Sequence, residues 1–107
     1  QEAAAREAQN LPPYGKLASL ILSGPDKNKV INVCKHLARV APHSVDIVVL
    51  GPVPAPLSYL RGNYRYRFLV KATAKVKIQI EIRSWLDKIP ANRGVRIQID
   101  IDPYSFY

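Results

Sequence analysis

Cysteine is nearly absent: Cys34 stands alone among 107 residues. One cysteine excludes an intrachain disulfide and, with no second thiol near it, a cysteine-based zinc site. Flanked by Val33 and Lys35, it reads as a buried, inert thiol in a chain suited to a reducing compartment. No run of eighteen apolar residues occurs, so no transmembrane helix is predicted. The start, QEAAAREAQN, lacks the apolar stretch of a signal peptide, and methionine is missing altogether. We therefore expect a piece of a longer chain. Two catalytic signatures are also missing: there is no glycine-rich phosphate loop followed by Lys and Ser or Thr, and no nucleophile elbow. His36 and His43 have no partner at ligand spacing and read as surface residues. Asp100 and Asp102 share one strand face but bring no pocket-forming aromatics with them. They read as strand-end charges balanced by Arg65 or Arg67.

Acidic residues are scarce as well, eight against sixteen Lys and Arg, giving a net charge of +8. Such a balance points to a polyanionic partner rather than to a fold. The charge is concentrated. Arg61, Arg65, Arg67, Lys71, Lys75, Lys77 and Arg83 lie between Leu60 and Arg83, where Glu81 is the only acid, so this segment carries +6 of the +8.

The chain length suits one domain with one ordinary core. Residues 1–10 read as an alanine-rich helix that NLPPYG ends, because consecutive prolines cannot continue a helix. Residues 16–24, KLASLILSG, read as a largely buried strand with Ala18, Leu20 and Leu22 on one face and Ser19 and Ile21 on the other. Asp26 is placed to cap the following helix. There Val30, Cys34, Leu37, Ala38 and Ala41 recur on one side, and Pro42 ends the helix. Residues 45–50, VDIVVL, form a second strand. Residues 51–62, GPVPAPLSYLRG, carry three prolines and two glycines and read as a long connection, a protruding arm or binding loop.

In residues 63–72, Tyr64, Tyr66, Phe68 and Val70 alternate with Arg65, Arg67, Leu69 and Lys71, which predicts a third strand. The alternation has two readings: a surface that grips a polyanion, or a half-buried strand with a charged solvent face. Residues 74–89 are in conflict with themselves. Val76, Ile78, Ile80 and Ile82 alternate as in a strand, whereas Ile78, Ile82, Trp85, Leu86 and Ile89 share a helical face. We expect a helix over 75–88 with Thr73 able to act as its cap, because no good hairpin residue separates the segment from the third strand. Pro90 and Gly94 bracket a turn. Residues 95–102 read as a last strand with Val95, Ile97, Ile99 and Ile101 inward.

The order β-α-β-β-α-β predicts an α+β, ferredoxin-like fold: a four-stranded antiparallel sheet with two helices on one face. The open face would then carry Arg65, Arg67, Lys71, Arg96 and Gln98 around Ile21, Val48 and Leu69, a mixture suited to docking.

Four stretches, NLPPYGKLASLILSG (10–24), VLGPVPAPLSYLRGNYRYRFLVKA (49–72), SWLDKIP (84–90) and IDIDPYSF (99–106), together resemble the C-terminal end of the bacterial primosomal replication-restart helicases, primosomal protein N′. The resemblance covers nearly the whole chain. It implies a domain similar in fold to a small-ribosomal-subunit protein, helping an ATP-dependent DNA helicase recognise branched or stalled-fork DNA in the bacterial cytoplasm, at the nucleoid. It implies that residues 1–14 end the preceding helicase lobe and its linker, and that 15–107 form the C-terminal DNA-binding domain. The family's ATP loop, Mg²⁺-binding acid and zinc-binding cysteines have no matching positions here. No catalysis and no ATP, Mg or Zn is therefore expected of this piece. The family's basic-aromatic block falls on Arg61, Gly62, Tyr64, Arg65, Tyr66 and Arg67. On this reading Tyr66, Phe68 and Val70 hold the strand to the helices. Arg61, Arg65, Arg67 and Lys71 meet DNA phosphates, and Tyr64, nearer the loop, is open to base stacking.

Three other readings remain at this level. One is a structural docking module that packs on the helicase lobes, a primosome protein or a single-strand-binding protein. Another is a free-standing RNA-binding ribosomal-type protein. The third, an independent enzyme, has the least support.

Overall fold

Alternating apolar residues at 18, 20 and 22 make the first strand, β1 (Lys16–Gly24), and bury one of its faces completely. The computed structural model describes residues 15–90 and 94–101; the helix expected at 1–10, the linker after it and Asp102 lie outside them. After β1 come α1 (Lys27–Arg39), β2 (Ile47–Leu60), β3 (Asn63–Ala72), α2 (Ile78–Leu86) and β4 (Arg96–Ile101). The sheet order is β2-β3-β1-β4, antiparallel throughout. This is the ferredoxin-like arrangement that the element order predicts.

Asp26 caps α1: its Oδ1 accepts from the amides of Asn28 at 3.0 Å and Lys29 at 3.3 Å. Those amides would otherwise lack partners at the helix start. The buried stripe of α1 is Val30, Val33, Cys34 and Leu37. Ala38, expected inside, is exposed and Val33 takes its place; the larger apolar side chain gains more by leaving water. Burial pushes the Cys34 thiol up from the ordinary value near 9.0 to about 11. The folded state thus favours the neutral thiol. Its contribution to stability is complete below pH 9 and is lost as the pH rises toward 11. At pH 8 the native protein should react with an aromatic disulfide reagent far more slowly than the urea-unfolded chain. Equal rates would show the thiol to be accessible.

The conflict in 74–89 resolves as a helix, though shorter than the expected 75–88. Ile78, Ile82 and Trp85 are buried on one side, whereas Ile80, which a strand would have buried, is 59% exposed. Thr73 is not its cap. Lys77 stands at the N-cap without a side-chain hydrogen bond. Thr73 is buried instead, donating from its hydroxyl to Asp46 Oδ1 (3.1 Å) and from its amide to the Asp46 carbonyl (2.9 Å). Those bonds tie the end of β3 to the start of β2 and delay the helix by a turn. Trp85 joins three elements. Its ring meets Phe68 of β3 edge-on at 5.2 Å, and its Nε1 donates to the Leu37 carbonyl of α1 at 2.9 Å.

The inward face of β4 is incompletely covered. Ile97 and Ile101 pack against the core, but Ile99 is 44% exposed. It lines a cleft of about 390 Å³ together with Ile82, Leu86 and Ile101. Gly24, at the other end of β1, lies against the chain entering β4: a Cβ there would clash with the Gly94 carbonyl oxygen. Backbone on both sides cannot yield cheaply. Gly24→Ala should therefore cost about 1–3 kcal/mol in chemical denaturation, the usual cost of overpacking. A change below the error of the measurement would mean that the two segments separate freely.

Candidate nucleic-acid interface

Residues 51–60 are not a free connection, as the prolines predicted, but the continuation of β2. The strand borders β3 alone, so it is a sheet edge, where every second backbone N–H points away from the partner strand and proline is tolerated. The pairing is irregular. Leu50 pairs with Leu69 and Val53 with Arg67, so Gly51 and Pro52 stand opposite Phe68 alone, one extra residue in the strand. Pro54 pairs with Tyr66 and Tyr59 with Tyr64, so residues 55–58 stand opposite Arg65 alone. The Arg65 side chain holds this wide bulge: its Nη1 donates to the carbonyls of Pro56 (2.8 Å) and Leu57 (3.3 Å). The hairpin closes through Arg61 and Gly62, both at positive φ (52° and 82°). That is the signature of a two-residue turn whose twist matches the strands.

Cross-strand partners share a sheet face. The register therefore fixes which side chains stand together on the face opposite the helices. Ser23 lies between Arg65 and Arg96, and Ile21 between Arg67 and Gln98, with Val53 beyond Arg67. Ser19 lies between Leu69 and Asp100, with Leu50 beyond Leu69; Leu17 pairs with Lys71, and Val48 lies beyond it. The expected set of Arg65, Arg67, Lys71, Arg96 and Gln98 around Ile21, Val48 and Leu69 is thus assembled on one face. Leu50 and Val53 join it, both exposed. Asp100 is the one acid of this face among the described residues.

The five residues singled out in the sequence have different surroundings. Arg61 is exposed at the hairpin turn and Lys71 is exposed on the open face. Arg67 is half-buried, and its Nε is shielded from water without a hydrogen-bond partner. Arg65 is half-buried and already bonded to the bulge. Tyr64 is on the helix side of the sheet, with the Tyr59 ring at 4.7 Å, tilted by 52°, and Lys27 Nζ 5.9 Å from its ring centre. Tyr66 and Phe68 pack on the core, as the alternation predicts. Sequence reasoning missed Tyr59 and Lys27. The available signal was the short Arg61-Gly62 interval between two alternating tyrosine-bearing segments, a weaker hairpin mark than Asn-Gly. Among the described residues no group of three or more His, Cys, Asp or Glu is gathered to hold a metal, and no helix is long and apolar enough to cross a membrane.

The molecule is of a definite class: a ferredoxin-like α+β domain with both helices on one sheet face and a mixed basic and apolar surface on the other. Its family follows from comparison with known proteins. The family described as the primosomal protein N C-terminal domain matches residues 7–104. The chain is 42% identical over 102 residues to the replication restart protein PriA of Rickettsia typhi, covering 95% of this chain and 16% of that protein. It is 33% identical to the PriA of Synechocystis over 98% of this chain and 13% of that protein. With the PriA of Bacillus subtilis the identity is 27%, over 96% of this chain and 13% of that protein. The chain belongs to the primosomal protein N C-terminal domain family. It spans about one sixth of the length of the Rickettsia relatives it matches.

Proposed function

We propose that this chain is an accessory DNA-binding domain of an ATP-dependent replication-restart helicase. It helps its parent engage branched or stalled-fork DNA through backbone contacts. The observation that carries the reading is the register, which gathers Arg65, Arg67, Lys71 and Arg96 on one uncovered face opposed by a single described acid, Asp100. Two features support it. The relatives are named replication restart proteins. Arg67 Nε makes no hydrogen bond among the described residues, so the sheet does not engage this donor. Phosphate contacts position a protein without reading sequence, and a fork can form at any sequence.

A second reading has its own observation. Ile21, Val48, Leu50, Val53 and Leu69 form an apolar band across the same face, as a module docked on the helicase lobes or on a primosome protein would require. Fork-DNA binding by the purified 107 residues, titrated across salt, separates the two. The DNA reading expects measurable binding that weakens steeply with salt and is alike for unrelated sequences. Absence of binding at low salt would leave the docking module.

A further inference from the structure

We infer that the closed end of the β2–β3 hairpin is a stacking platform for an unpaired DNA base, with the exposed ring of Tyr59 as its surface. The inference rests on the DNA-binding reading and adds a ligand class to it: single-stranded DNA, as distinct from the duplex backbone.

Tyr59 is 59% exposed and Leu57, two residues before it, 67%. A large apolar surface held in water needs a reason. The ring is nevertheless fixed. Its strand pairs in register with Tyr64 and Asn63. Its inner side meets the Tyr64 ring, and Lys27 approaches Tyr64 in turn. The chain before it is tied down by the two hydrogen bonds from Arg65. A tyrosine so held loses little conformational freedom when a flat ring settles on it.

Charge identifies the occupant. No Asp or Glu occurs from residue 47 to residue 80, while Arg61 is two residues from Tyr59 and Lys27 lies beside its partner ring. Bases stack on aromatic side chains whatever their identity, and neighbouring cations meet the phosphates between them. Base and backbone of a single strand thus match the aromatic and basic halves of this end. An apolar protein surface would match only the first. A duplex would offer no free base face.

The test compares two ligands, a blunt-ended two-strand duplex and an oligothymidylate, on the 107-residue chain and its Tyr59→Ser, Tyr59→Leu and Tyr59→Phe variants. Tyr59→Leu keeps an apolar contact to Tyr64 without a ring face, and circular dichroism establishes folding for each. We expect Tyr59→Ser and Tyr59→Leu to bind oligothymidylate about tenfold more weakly, the scale of one lost base stack. Tyr59→Phe should bind like the parent sequence, and duplex affinity and its salt dependence should stay unchanged in all three. A 2-aminopurine in the single strand should be quenched on binding except with the Ser and Leu variants. Single-strand affinity that survives in folded Tyr59→Leu overturns the platform while leaving the phosphate contacts standing. Equal losses on both ligands overturn it too, since the ring would then serve the hairpin's shape. If the unaltered chain binds neither ligand, the DNA-binding reading itself fails and the platform with it.

Discussion

Changing Arg67 and Lys71 together to alanine should leave the domain folded and roughly halve the salt dependence of fork-DNA binding. Each duplex phosphate neutralised contributes about 0.9 to the slope of log affinity against log salt. With Arg61, Arg65, Arg67 and Lys71 all engaged, the slope is about −3.6, a loss of about 150-fold in affinity between 50 and 200 mM salt. The double variant should show about −1.8, a loss of about 12-fold over the same interval. Arg65 is left in place deliberately. Its Nη1 holds the Pro56 and Leu57 carbonyls, so its removal would loosen the hairpin and confuse shape with charge. Arg67→Ala carries no such cost, because the change deletes a buried donor that has no partner. Lys71 is exposed. The effect should be the same on unrelated DNA sequences. An unchanged slope in a folded double variant would turn these side chains toward protein and favour the docking module.

Trp85→Ala should have the largest effect on stability. The side chain is buried, packs edge-on against Phe68 and bonds α1 through the Leu37 carbonyl. Truncating a buried tryptophan typically costs about 3–5 kcal/mol, out of about 5–15 kcal/mol for a whole domain. The urea midpoint, followed by circular dichroism, should fall by more than about 1 M. Trp85→Phe keeps most of the ring but leaves the Leu37 carbonyl unpaired, so a loss of about 1–3 kcal/mol is expected from that alone. A cost below about 1 kcal/mol for Trp85→Ala would show that α2 is not anchored through this residue.

Much of this fold was legible because periodicity survives in one dimension. The alternation of 16–24 and 63–72 assigned each side chain its face, and the register bears that out pair by pair from Lys16–Ala72 to Gly24–Tyr64. The helical spacing of Ile78, Ile82 and Trp85 decided correctly against the strand-like alternation running through Ile80. The extension of β2 was not legible. Propensity counts each proline as a break, since it removes a donor, but it cannot know that the strand lies at an edge, where proline is tolerated. The role of Arg65 was hidden for a related reason. A charged residue in an alternating strand reads as solvent-facing, and only the four-residue bulge opposite it supplies carbonyls to bind. Thr73 read as a helix cap from local chemistry, yet Asp46, distant in sequence, took its hydroxyl.

The sequence by itself determined the element order, the core faces of β1 and β3, the capping by Asp26 and the concentration of positive charge between Leu60 and Arg83. Each depends on a residue's own chemistry and on neighbours within a few positions. Only the tertiary structure decided that Ser23 alone separates Arg96 of the last strand from Arg65, that Tyr59 meets Tyr64 at the hairpin's end, and that Ile99 borders a cleft rather than the core. Those outcomes depend on strand order, register and the reach of α2. These are set when distant segments compete to bury the same apolar surface, and local sequence does not record that competition.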